Sequence, residues 1–183
     1  MSYLVAELSL GDSMDEEYRA KVRAGMRIHE RARELRGRFL NLVAAIEHDI
    51  AHMLTEYFCT NDETKRVIFF DRIASAMSLN VKRDVLIEIV KRDYPRYWDE
   101  HSQFLQDLQR IQEFRNKLAH SIVDVSDAAL ARPLEEGIGF VQWNKGKPIN
   151  DRESDDWEVR ANMVISTLEE IKRMLPFKER PIA

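Results

Sequence analysis

Apolar residues recur at helical spacing along most of the chain. Leu35, Phe39, Val43, Ile46, Ile50, Met53, Leu54 and Tyr57 fall on one face of a helix, with charged residues opposite. Upstream, Ser13-Met14-Asp15-Glu16 has the spacing of a capping box, Ser at N-cap and Glu at N3. The pattern therefore starts there and runs without proline to about Phe58. One helix of that span would measure roughly 65 Å at 1.5 Å per residue, long for a domain of this size. The sequence therefore predicts a break near Gly25 or Gly37. Before it, Tyr3, Val5, Leu8 and Leu10 suit a short strand or an arm.

Thr60-Asn61-Asp62-Glu63 reads as a second capping box, opening a helix that carries Val67, Phe70, Ile73, Ala74 and Met77. A shorter helix is expected around Val81 to Val90, ended by Tyr94-Pro95. The next runs from about Arg96 to about Ser121, with Phe104, Leu108, Ile111, Leu118 and Ile122 in one stripe. Glycine and proline then become frequent. Ile138 to Trp143 reads as a strand, Asn144-Lys145-Gly146-Lys147 as a turn, and a short return strand should follow. A last helix, about Arg152 to Leu175, places Trp157, Ala161, Val164, Leu168, Ile171 and Leu175 on one face before Pro176.

The predicted fold is an all-α antiparallel helical bundle with a small β-hairpin insertion before the last helix. It forms one domain over residues 1–183. Within it, 1–36 make an N-terminal arm and basic helix, 37–122 the core helices, 123–151 the hairpin insertion and 152–175 the last helix. Composition agrees. Hydrophobic residues at 44% exclude a disordered chain, and only six Gly and five Pro disfavour an all-β fold. Cys59 stands alone, so no internal disulfide and no cysteine-rich metal site can form. No signal peptide and no apolar stretch of spanning length is evident, so the expected location is cytoplasmic, away from membranes.

Candidate chemistry concentrates in Phe114-Arg115-Asn116-Lys117-Leu118-Ala119-His120. On a helical wheel Arg115 lands within the apolar stripe. A guanidinium there needs a carboxylate, a subunit interface or an anionic ligand, because desolvating its charge costs several kcal/mol. Asn116 and His120, four apart, share a flank. Arg115 and His120 point about 140° apart at 3.6 residues per turn, so a single site would need a second chain or a loosened last turn.

Arg115, four residues and His120, with Asn116 directly after the Arg, at the end of a late helix, resembles the signature of the HEPN superfamily. The helix from Phe39 to Phe58, with Glu47 inside its apolar pattern, is also similar to HEPN first helices, and the likeness spans roughly residues 35–175. It implies a metal-independent endoribonuclease, usually a homodimer with the two motif helices lining one cleft. His120 would be the acid or base on the ribose 2′-OH or the leaving oxygen, and Arg115 would stabilise the phosphorane-like transition state. Asn116 and Glu47 would support them, Glu47 as partner of Arg115 or His120. A toxin or defence effector held by a protein inhibitor, as in toxin–antitoxin pairs, fits this picture. The competing expectation is a non-catalytic HEPN-like module that binds a nucleotide or a protein.

Two further patterns bear on function. Net charge is −4, yet Arg19, Arg23, Arg27 and Arg31 repeat every four residues and form one basic stripe, a candidate RNA-binding surface. The alternative is a solvated face that pairs with the acids of 124–156. His48-Asp49-Ile50-Ala51-His52 has the histidine spacing of a zinc helix. It lacks the Glu base and a third ligand, both histidines lie on the polar face, and no metal or other cofactor is expected.

Overall fold

The computed structural model describes residues 16–59, 62–141, 149 and 151–174. Ser13, the segment before it, Thr60, the turn at 144–147, Leu175 and Pro176 lie outside them. The helices are α1 (Glu16–Phe58), α2 (Glu63–Phe69), α3 (Leu79–Asp93), α4 (Pro95–His101), α5 (Gln103–His120), α6 (Asp127–Leu130) and α7 (Asp151–Met174). A π-helical turn, Phe70–Ala74, continues α2.

Helix α1 is one unbroken element of 43 residues, so the expected break at Gly25 or Gly37 is absent. Neither glycine faces a wall that would force a bend: a Cβ at Gly37 would meet nothing within 4 Å, and one at Gly25 only the Leu130 side chain at 3.7 Å. The length is tolerated because only part of α1 belongs to the bundle. Its buried residues begin at Ile28, and the turns before that extend past the other long helices.

Successive long helices reverse direction. Arg66 reaches Glu56 while Phe70 stacks on His52, so α2 and the π turn run back down α1. Lys82 meets Glu47 and Asp93 meets Tyr57, so α3 runs up again. Phe114 meets Phe39 while Ser121 meets Arg36, so α5 descends. Asp107 pairs with Arg160 and Phe114 stacks on Trp157, so α7 ascends. The shared core is Leu35, Phe39, Ile46, Ile50, Met53 and Leu54 of α1 against Leu86, Leu108, Ile111, Leu118, Leu168 and Ile171. This is an all-α bundle, as the periodicity predicts.

Boundaries shift where local caps prevail. Asp62, not Thr60, caps α2, its carboxylate accepting from the Lys65 backbone N–H at 3.1 Å. Ser78 caps α3, which starts earlier than expected. The expected single helix from Arg96 divides at Ser102 into α4 and α5. The small β element has a different ladder from a simple hairpin. Strand β2 (Phe140–Val141) pairs antiparallel with β1 (Ile122–Val123), immediately after α5. The expected return segment contributes one bridge, Ile138 with Ile149. Ile122 therefore leaves the helical stripe and is exposed.

Two glycines serve this return. Gly137 has φ 103°, a conformation costly for other residues. A Cβ at Gly139 would lie 2.9 Å from Cβ of Asp124, whose backbone N–H donates to the Gly139 carbonyl at 2.8 Å.

Candidate active site at the end of α5

The last turns of α5 are clamped from inside. Phe114 meets Phe39 edge-on, centroids 4.9 Å apart, and stacks on Trp157 at 4.6 Å and 11°. Leu118, one turn on, is fully buried. With these two residues pointing inward, Asn116 and His120 are placed outward, and both are exposed.

Arg115 does not occupy the centre of the buried stripe. That stripe is Phe104, Leu108, Ile111, Phe114 and Leu118, and Arg115 is half-buried at its edge. The wheel reading assumed a straight contact line continuing to Ile122. Instead the contact face drifts towards Phe114 and Leu118, as it does when helices cross at an angle. No carboxylate pairs with Arg115 among the described residues. Its Nη1 donates to Oδ1 of Asn116 at 3.1 Å. This bond draws the guanidinium round the helix, towards the flank that Asn116 and His120 share.

Glu47 is not in this group. Its carboxylate is 3.1 Å from Nζ of Lys82, and that lysine side chain is only 4% exposed. A buried ammonium is tolerated only with such a partner. Phe39, not Glu47, is level with Phe114. Eight residues of helix, roughly 12 Å at 1.5 Å per residue, separate the two α1 positions. The expectation that Glu47 serves Arg115 or His120 is corrected accordingly: it neutralises α3.

Arg36 is the residue that the sequence reading missed. Its guanidinium donates to the carbonyl of Ser121, the C-cap of α5, and lies 5.1 Å from the ring centroid of Phe140. Burial pulls its pKa below the usual guanidinium value. Within the cap, the Ser121 backbone N–H and hydroxyl both donate to the Lys117 carbonyl. The end of α5 is thereby tied to α1 and to β2 beside His120. The signal was in the sequence: Arg36 and Leu54 are about five full turns apart, so they share one azimuth of α1. The test applied to Arg115, a cation within an apolar arc, selects Arg36 instead.

The basic stripe is divided. Arg23 pairs with Glu16 at 2.7 Å and Arg31 with Glu34 at 3.2 Å. Arg19 and Arg27 have no acidic partner among the described residues. Other α1 cations do meet later acids: Lys21 pairs with Asp127 at 3.5 Å and Arg38 with Glu158 at 3.4 Å. Arg27 and Arg132 line a cleft of about 230 Å³, floored by Ile28, Leu130 and Leu134, with Glu135 also in its wall. Along the axis the stripe starts close to the motif. Arg31 is five residues, about 7 Å of helix, before Arg36.

No family model, no curated protein and no solved structure matches this chain.

Chemically, the end of α5 offers an accessible imidazole, a held guanidinium and a further cation, Lys117, on one short stretch. Such groups can move a proton and bind phosphate oxygens. No cluster of three or more His, Cys, Asp or Glu suited to a metal occurs among the described residues. No described helix is long and apolar enough to cross a membrane.

Proposed function

We propose that this protein is a metal-independent endoribonuclease of HEPN type, with Arg115 and His120 as catalytic residues. The observation that carries the proposal is the Arg115–Asn116 bond beside an exposed His120 on the same flank of α5. The ribose 2′-OH is an internal nucleophile on the adjacent phosphorus. RNA cleavage then needs a proton acceptor, a proton donor and charge stabilisation, and no metal. His120 takes the 2′-OH proton or protonates the departing 5′-oxygen. Arg115 binds the non-bridging oxygens as negative charge builds on them. Asn116 is a positioning residue that keeps the guanidinium on the imidazole side.

In the proposed assembly two copies pair along α5, so that two such edges line one cleft on cytoplasmic RNA. The overhanging turns of α1, with Arg19 and Arg27, extend the cationic surface. A protein inhibitor covering the α5 edge would hold such a toxin or defence effector silent.

The test is cleavage of a mixed-sequence RNA by purified protein in EDTA. Wild type should cut; Arg115→Ala and His120→Ala should be folded and inactive. Activity that chelation abolishes and zinc restores would refute the mechanism. The cleft shared by Arg27 and Arg132 favours a second reading, a non-catalytic module that binds a nucleotide or an acidic protein. Nucleotide binding lost in Arg132→Ala, with no cleavage by wild type, would establish that reading instead.

A further inference from the structure

His48 and His52 have no part in the proposed chemistry, yet among the described residues they are the one pair of histidines in ring contact. Four residues apart on α1, they bring their Nε2 atoms to 3.2 Å while their ring centroids stay 4.4 Å apart. The rings therefore converge through their nitrogen edges. Phe70 fixes that arrangement. It stacks on His52 at 4.4 Å and 29° and meets His48 edge-on at 5.7 Å. Phe70 opens the π-helical turn, a rare geometry often found at functional sites.

From this convergence we infer a binding site for a divalent transition-metal ion, with His48 Nε2 and His52 Nε2 as its two protein ligands. With nitrogen–metal distances of 2.0–2.1 Å, an ion equidistant from nitrogens 3.2 Å apart subtends roughly 100–106°. That angle lies between the right angle of tetragonal sites and the tetrahedral angle. The 3.2 Å separation of the two nitrogens is thus already the bite of one ion. Imidazole nitrogen selects zinc, copper or nickel and disfavours calcium and magnesium, which prefer oxygen.

Without metal, one ring donates its Nε2–H to the other's Nε2 lone pair. Ligation needs both lone pairs, so the donating ring transfers that proton to its own Nδ1, and the metal takes the proton's place between the rings. Burial, with the neighbouring His48 and Lys172 charges, holds His52 below the usual imidazole pKa against Glu56 and Asp49, which favours the neutral ligating form. No third His, Cys, Asp or Glu joins the pair among the described residues. The remaining coordination positions are filled by water, and the ion stays open to an exchangeable ligand. The position differs from the candidate active site: on α1, His48 is nine residues, about 13 Å of helix, beyond Phe39.

The test is calorimetric titration of the full chain with Zn(II) at pH 7.5, with Cu(II) electron paramagnetic resonance to count coordinating nitrogens. Wild type should take up one tight equivalent with two-nitrogen hyperfine structure. His48→Ala and His52→Ala should each weaken it at least tenfold and leave one nitrogen or none; His48→Gln and His52→Gln repeat the result in longer side chains if alanine perturbs folding. A His29→Ala/His101→Ala variant, which removes histidines elsewhere, should bind like wild type. The inference is overturned if wild type shows no tight equivalent, if either site variant binds as well as wild type, or if the control variant loses the tight equivalent.

Discussion

The two parts of α1 obey the same helical geometry and do different work. From Ile28 to Thr55 every turn puts an apolar residue into the core, and Ile46, Ile50 and Leu54 are fully buried. From Glu16 to Arg27 no residue is buried, and Val22 and Met26 are exposed. The first part is held by packing. The second is held by its own backbone ladder, by Arg23–Glu16 and by Lys21 with Glu17 and Asp127. Surface ion pairs of this kind contribute little each, typically 0–1 kcal/mol. Helix continuity therefore does not mean uniform stability. The overhang is the part of α1 that can change charge partners at small cost, and the candidate site lies about two turns inside the packed part, where Arg36 ties α1 to the end of α5.

The largest effect expected is catalytic, at the site beside the packed part. A general acid or base contributes about 10²–10⁴-fold, so His120→Ala should cut RNA cleavage by at least ~100-fold, with an unchanged circular dichroism spectrum. Loss of the spectrum together with activity would mean that the residue is structural. Next is the contrast between the parts themselves. Ile46→Ala should destabilise by about 2–5 kcal/mol in urea unfolding. Met26→Ala, 63% exposed in wild type, should stay within about 0.5 kcal/mol. Equal losses would show that the overhang is packed against something.

The contrast is sharpened by Arg36→Met, which keeps the stem over Phe140 and removes the bond to the Ser121 carbonyl. Hydrogen bonds from charged groups contribute about 1.5–3 kcal/mol, and a drop of that order is expected. If the end of α5 positions His120, kcat should fall while KM for RNA holds. Smallest in stability, though not in binding, is the double reversal Arg19→Glu/Arg27→Glu. The thermal midpoint should barely move, while RNA affinity falls across sequences and its salt dependence flattens, because fewer counterions are released. Unaltered affinity would assign the overhang to a protein partner.

Part of this was legible in the residues alone. Period and caps are local, so the core stripes of α1, α5 and α7 and the all-α class could be read directly. The interruption before the last helix showed as a change in glycine content. Asp62 rather than Thr60 as cap lies within the error of any local signal, because both residues can accept from a first-turn N–H. The motif was legible as composition, but the state of each member was not: a wheel assumes one straight contact line, and real helices cross.

What the sequence by itself determined is which faces are apolar, where helices can begin, and that an Arg, an Asn and a His share the end of one helix. Tertiary structure decided the rest, because it depends on partners distant along the chain. Glu47 went to Lys82 because α3 brings a buried ammonium past it, and no carboxylate can neutralise two sites two turns apart. Arg36 found its acceptor only in the fold, because the end of α5 brings the Ser121 carbonyl to it. The ladder of β2 formed with Ile122–Val123 because α5 ended where its strand could start. Gly25 and Gly37 did not break α1 because nothing crowds them: a Cβ at Gly37 would meet no neighbour and one at Gly25 only the Leu130 side chain at ordinary contact distance, and a glycine permits a bend that only a neighbour can require.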